Sequence, residues 1–174
     1  MSMDIHGIEV QKERKADFSQ VDEVLYQAFK RDEEADLVRK LRKNGNYIGL
    51  VALKEDKVVG HCFFSPAPIK TSSGLVDALA LAPVAVLPSY QNRGVGTLLI
   101  HKGLKECKEE GISIVTVLGH PNYYPRFGFT SGYEKGINAP FEVPAEAFMV
   151  LELQEGSLAS VKGVVQYPPE FEEV

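Results

Sequence analysis

Cysteine and histidine are scarce in this 174-residue chain. Cys62 and Cys107 stand alone in sequence, which fits a reducing compartment and leaves no disulfide framework. The four histidines, His6, His61, His101 and His120, share no metal-ligand spacing with the cysteines or with each other, so no metal centre is expected. No apolar run approaches the roughly 20 residues that cross a bilayer. The first ten residues carry Asp4 and Glu9 and no apolar core, so no signal peptide is expected there, and the expected location is cytoplasmic. A basic excess is missing as well. The net charge is −5, which argues against general nucleic-acid binding, where a basic face supplies most of the affinity.

What is present reads as a globular protein, 44% apolar and 25% charged. With no internal repeat and no linker, residues 1–174 are expected to form a single domain, long enough to bury roughly 70% of its unfolded surface. The chain is organised around residues 81–99. An apolar run of strand length, 79–87, ends at Pro88; a polar turn follows, and Gly94-Val95-Gly96 opens an apolar-periodic helix that closes at Gly111. A strand, a glycine loop and a helix N-terminus gather unpaired N–H groups at the positive end of a helix dipole, an anion site. The same glycines also suit an ordinary tight turn, and the six residues leave both readings open. Pro83 sits inside the strand, where its missing N–H points to a bulge or an unpaired stretch. Of the basic residues nearby, Lys102, Lys105 and Lys108 read as a solvated helix face, whereas Arg93 lies within the loop.

Taken in order, residues 5–10 predict a first strand. Asp17 and Ser19 are cap candidates for a helix whose buried face is Val21, Val24, Leu25, Ala28 and Phe29; a second helix over 32–43 buries Leu37, Val38 and Leu41. Strands at 48–53 and 58–65 form a hairpin, ended by Pro66 and Pro68, and a polar turn at 71–74 leads into a long strand from about Val76. In the helix after the loop, Leu99, Ile100, Gly103, Leu104 and Cys107 share one face. Residues 112–118 predict a buried strand parallel to its predecessor. Gly119 to Phe129 then hold too many prolines and glycines for a long helix, leaving a short turn that presents Tyr123 and Tyr124. Strands are expected at 148–153 and 161–167, and the acidic tail 170–174 is expected to fray.

The loop lacks the third glycine of a dinucleotide fingerprint, because Leu99 stands there, and it lacks Gly-Lys-Ser/Thr. Gln91-Asn92-Arg93-Gly94-Val95-Gly96 instead matches Gln/Arg-x-x-Gly-x-Gly/Ala, and so resembles the pyrophosphate loop of the GNAT acetyltransferase superfamily. Val59-Gly60-His61, Leu118 to Phe129 and Tyr167-Pro168-Pro169 resemble a branch of that family reading Leu-Gly-x-Pro-x-Tyr-Tyr-x-Arg-Phe-Gly-Phe.

The resemblance implies an α/β (α+β) GNAT fold: a mixed, mostly antiparallel sheet, splayed between its fourth and fifth strands and flanked by helices. It implies acetyl-CoA as co-substrate, with the pantetheine arm along Val84, Ala85 and Val86. The pyrophosphate then lies at Gln91, Asn92, Arg93, Gly94, Val95, Gly96 and Thr97, and Pro83 marks the splay. It implies direct acetyl transfer to a small-molecule or peptide amine, with Tyr124 protonating the leaving thiolate, Tyr123 as its understudy, and packing or holding the coenzyme as the alternative role for Tyr124. Many relatives carry a carboxylate base on the fourth or fifth strand, but here 79–86 and 112–118 contain none, so His61, His120, Glu33 and a water chain stand as alternatives. The missing base also motivates the alternative of a catalytically silent coenzyme A-binding sensor or partner protein. Neither nucleic acid nor membrane is an expected partner, and the chain is expected to be a monomer or homodimer.

Overall fold

The computed structural model describes residues 7–173. Its strands are β1 (Ile8–Lys12), β2 (Ile48–Lys54), β3 (Lys57–Pro66), β4 (Ile69–Thr71), β5 (Gly74–Val76), β6 (Leu79–Val86), β7 (Ile114–Leu118), β8 (Thr130–Ser131), β9 (Ile137–Asn138), β10 (Phe148–Glu152) and β11 (Gly163–Val165). The α-helices among the described residues are α1 (Phe18–Phe29), α2 (Glu33–Lys43) and α3 (Val95–Glu109). The backbone gathers into two compact units, one holding residues up to 64, 82–105 and 169 onward, the other holding 65–81 and 106–168.

In the first unit β1, β2 and β3 form an antiparallel ladder, bulged between Ala52 and Leu53. Glu55 and Asp56 turn the β2–β3 hairpin with positive φ, 50° and 67°. The Leu87 N–H donates to the Val59 carbonyl at 2.9 Å where the chain leaves β6. Val21, Val24 and Leu25 of α1 and Leu37, Val38 and Leu41 of α2 pack with Val51, Leu53 and Phe63. Side chains of this size contribute about 1.5–3 kcal/mol each when fully buried, and the i, i+3, i+4 spacing that gathers them is the pattern read from the sequence.

In the second unit β6 and β7 run parallel, but their pairing covers only Leu79↔Val115 and Ala80↔Thr116. β7 and β10 pair antiparallel over their whole length, and β8 adds to β10. A smaller sheet has the order β5-β4-β11-β9. Ile69, Ile114, Ile137, Phe148 and Val150 lie in the core of this unit. The α3 helix ends in a Schellman pair: Ile112 N–H donates to Cys107 O at 2.9 Å and Gly111 N–H to Lys108 O at 3.1 Å, with Gly111 at φ +87°. With ladders mostly antiparallel and three α-helices among the described residues, the chain has a mixed α/β fold of the kind the resemblance implies.

Several local expectations need correction. The first strand starts at Ile8; Ile5 and His6, with the other residues of 1–6, lie outside the described residues. The long strand does not run from Val76, because β5 ends there and β6 begins at Leu79. β3 does end at the proline pair, with Pro66 as its last residue, one position beyond the expected bound. Asp17 stands before α1, yet its carboxylate accepts the Arg14 N–H at 2.8 Å instead of capping α1. Pro83 lies three residues past the end of the β6–β7 ladder, in a stretch of β6 unpaired on that side, and joins Ala82 through a cis peptide. Within the described part of the tail, Pro169–Glu173 forms a 3-10 turn and Phe171 packs into the α1–α2 core, while Val174 lies outside the described residues.

Candidate functional site

Along the later half of β6, Ala85 is buried while Val84 and Val86 are half-buried, so the strand offers one partly open face. The chain then turns through Pro88–Tyr90, and Asn92 (φ 63°) and Gly94 (φ 88°) take left-handed backbone. Gly94 is there for a reason, since only glycine holds that conformation without a Cβ penalty. Leu98 N–H donates the first bond of α3, to Gly94 O at 3.0 Å. The N–H groups of Val95 and Gly96 therefore belong to the first turn, which has no acceptor inside the helix. Gln91 ties the two ends of the loop together, its Nε2 donating to Val86 O at 3.0 Å. Arg93 lies exposed in the loop, its guanidinium 5.9 Å from the Tyr90 ring centroid, and Thr97 is half-buried in the first turn of α3. A Cβ on Gly60 would meet Leu99 Cδ1 at 3.0 Å, Val95 Cγ1 at 3.2 Å and Ala85 O at 3.3 Å. The glycine of Val59-Gly60-His61 thus lets the first turn of α3 sit close on β3, which fixes the loop. This contact was not foreseen, although the motif that contains it was.

In the second unit the turn after β7 is short. Tyr124–Phe127 is a 3-10 helix with Tyr124 first and Pro125 second, a placement that accommodates proline because the first turn needs no N–H donor. Tyr124 is half-buried, its ring edge-on to Tyr123 at 5.0 Å and to Phe129 at 5.8 Å between centroids. The turn ends at Gly128, φ 99°.

The three base candidates separate clearly. Glu33 and His120 are exposed, and His61 is fully buried, so His61 is a core histidine. Its Nε2 lies 2.9 Å from Glu13 Oε1, while Arg42 donates Nε and Nη2 to the two Glu13 oxygens, both at 2.9 Å. The Arg42 guanidinium also lies 3.7 Å over the Phe18 ring. Burial would raise the Glu13 carboxyl, but the hydrogen bonds and charges of His61 and Arg42 outweigh it and hold the group at about 2. Burial depresses His61 below its ordinary value, against the pull of Glu13. Nothing in the sequence joins Glu13 to Arg42 and His61, which lie 29 and 48 residues further on. Both cysteines are buried, and burial, with Glu110 and Glu106 nearby, pushes the Cys107 thiol up to about 12, so it stays protonated. Among the described residues no cluster of three or more His, Cys, Asp or Glu is arranged to hold a metal, and no helix is long and apolar enough to cross a membrane.

Comparison with known proteins gives the lineage. The family described as "Acetyltransferase (GNAT) domain" matches residues 9–132. YjhQ of Escherichia coli strain K12, named an uncharacterized N-acetyltransferase, is 38% identical over 148 residues, covering 83% of this chain and 82% of its own. The crystal structure of the GNAT family N-acetyltransferase YhbS from Escherichia coli, in complex with CoA, superposes with a TM-score of 0.88 at 31% identity, over 95% of this chain and 92% of that one. A GNAT family acetyltransferase from Brucella melitensis, in complex with acetyl-CoA, gives 0.78 at 30% identity, over 95% and 99%. A glycine loop at the head of α3, a family match over most of the chain and two closely superposing relatives agree: the chain belongs to the GNAT family of acetyltransferases.

Proposed function

We propose that this chain moves the acetyl group of acetyl-CoA directly to a primary amine of a small molecule or peptide, and that it belongs to the branch marked by Leu118 to Phe129. The observation that carries the donor is the loop: left-handed Asn92 and Gly94 leading into the first turn of α3, in a chain whose relatives YhbS and the Brucella protein hold CoA and acetyl-CoA. In this reading the pyrophosphate takes N–H groups of residues 91–96 and the Thr97 side chain, and the pantetheine arm lies along Val84, Ala85 and Val86. Charge-assisted bonds of this kind contribute about 1.5–3 kcal/mol each. Residues 1–174 act as one acetyltransferase domain, and the family match at 9–132 draws on both compact units. The same reading makes it a cytoplasmic monomer or homodimer.

The amine attacks the thioester carbonyl, a C–N bond forms and the C–S bond breaks. A backbone N–H of 84–86 steadies the carbonyl oxygen. The phenol of Tyr124 gives its proton to the departing thiolate and regains one from solvent, since a phenol is an acid ordinarily close to a thiol in strength. The amine must arrive neutral, and with His61 sealed against Glu13 the proton acceptor is exposed His120, exposed Glu33 or water.

The burial of His61 and the absence of a carboxylate on β6 or β7 favour one second reading, a silent coenzyme A sensor. Incubation with acetyl-CoA and a broad amine panel separates the two. Thiol release with at least one amine is expected, together with a loss on the order of tenfold or more in Tyr124→Phe at unchanged coenzyme binding. Tight binding without thiol release would support the sensor, and unchanged turnover in Tyr124→Phe would remove the acid role. Absence of coenzyme binding would overturn both readings.

A further inference from the structure

β7 ends at Leu118, and the residue after it has no side chain because the space is taken. A Cβ on Gly119 would overlap Cε2 of Tyr124 and lie 2.9 Å from its Cδ2 and 3.3 Å from its Cζ. The backbone at Gly119 is not left-handed, so its conformation suits any residue and the glycine serves close approach, not a turn. Its N–H donates to Ala147 O at 2.9 Å, which continues the β7–β10 edge and fixes the Cα beneath the ring.

The other sides of the ring are held by aromatic neighbours. Tyr123 meets it edge-on at 5.0 Å, Phe129 edge-on at 5.8 Å, and Phe127 is tilted at 6.2 Å. Tyr123 is itself braced, with the Arg126 guanidinium 4.3 Å over its ring and Arg126 Nε donating to Tyr123 O at 2.8 Å. The Tyr124 N–H donates to His120 O at 3.3 Å. The main chain is therefore fixed on one side and the braced tyrosine stands on another. The ring lies directly over Gly119, where a Cβ would overlap it.

We propose that Gly119 and the Arg126–Tyr123 brace are positioning residues for Tyr124, fixing the direction of its hydroxyl; this rests on the acid role given to Tyr124 above. Tyr123 is then a brace and not a spare acid. A misplacement near 1 Å at a reacting group costs on the order of a hundredfold in rate, and an alanine at 119 forces a shift of that size.

The test uses the full chain with Gly119→Ala, Arg126→Gln, Tyr124→Phe and the two doubles with Tyr124→Phe. Thiol release from acetyl-CoA is followed with an active amine, and the Tyr124 ring resonances are assigned by their loss in Tyr124→Phe. Gly119→Ala is expected to move those resonances and lower kcat on the order of tenfold to a hundredfold while leaving KM for acetyl-CoA within about twofold. In the Tyr124→Phe background the same change is expected to cost little, because its effect passes through the phenol. Arg126→Gln, at an exposed position that tolerates change, is expected to repeat the pattern at smaller size, and it carries the decision should Gly119→Ala fail to fold. Unchanged turnover in Tyr124→Phe would overturn the acid role and this proposal with it. Loss in Tyr124→Phe beside full turnover in the other two single variants, or equal losses in both backgrounds, would overturn the positioning alone.

Discussion

Glu13 keeps a charge where its side chain is only 2% exposed, and it does so because two donors from other elements meet it. A carboxyl held at about 2 instead of 4.5 corresponds to about 3 kcal/mol of stability. The sign is set by the direction of the shift: the folded value is depressed, so this stability is full above 4.5 and is lost as pH falls toward 2. His61 acts in the same sense, since a folded value below 6.5 gives stability that is full above 6.5 and lost as the ring is forced to protonate. The urea midpoint is therefore expected to fall from pH 7 to pH 4, and Arg42→Met, which leaves the buried carboxylate uncompensated, is expected to cost about 3–5 kcal/mol at pH 7. A Glu13→Gln, Arg42→Met double should lose less than the sum of the singles. A flat midpoint across that range, or additive losses, would contradict the account. Sequence marked His61 as a base candidate because a lone histidine in a motif carries no sign of its partner. Glu13 and Arg42 become visible only when β1, β3 and α2 pack.

Among the elements, α3 is the one whose sequence posed a question that packing answers. Gly103 lies in its apolar face, where glycine costs about 1 kcal/mol against alanine. A Cβ there would lie 2.5 Å from Phe64 Cε1 and 2.8 Å from Cζ, and Phe64 is fully buried and has no room to swing away. Gly103→Ala should thus gain helix propensity and still destabilise the chain, by about 1–3 kcal/mol from overpacking. Urea unfolding with an unchanged m-value measures it, and Lys105→Ala on the exposed face should stay within about 0.5 kcal/mol. A stabilised Gly103→Ala would show that α3 rides higher on β3 than described. The three helices and the long strands were legible because their apolar residues recur at helical or strand spacing over many residues. β4, β5, β8 and β9 run only two or three residues, too short for alternation to register. In the tail, the acidic residues dominated the reading while Phe171, the one aromatic among them, holds it down.

For the molecule as a whole, the proposed donor site makes stability depend on ligand. A ligand that binds only the folded chain at a hundred times its Kd adds about 2.7 kcal/mol. For a chain of this length that corresponds to a rise in Tm of roughly 5–10 °C. Coenzyme A is expected to give a shift of that size, and Tyr124→Phe to keep it, because the phenol acts on the leaving thiolate and not on the phosphates. Gly94→Ala separates the loop from the rest of the fold. Its φ of 88° puts a Cβ into a left-handed position at a cost of about 1–2 kcal/mol, so the unliganded Tm should fall by a few degrees. The first turn of α3 begins at the next residue, so the N–H groups proposed to hold the pyrophosphate are displaced with it. The coenzyme-induced shift in Gly94→Ala is expected to shrink to less than half. If that variant keeps the full shift, the phosphates are held elsewhere. If coenzyme A shifts neither protein, the donor assignment fails at its root, whatever the loop resembles.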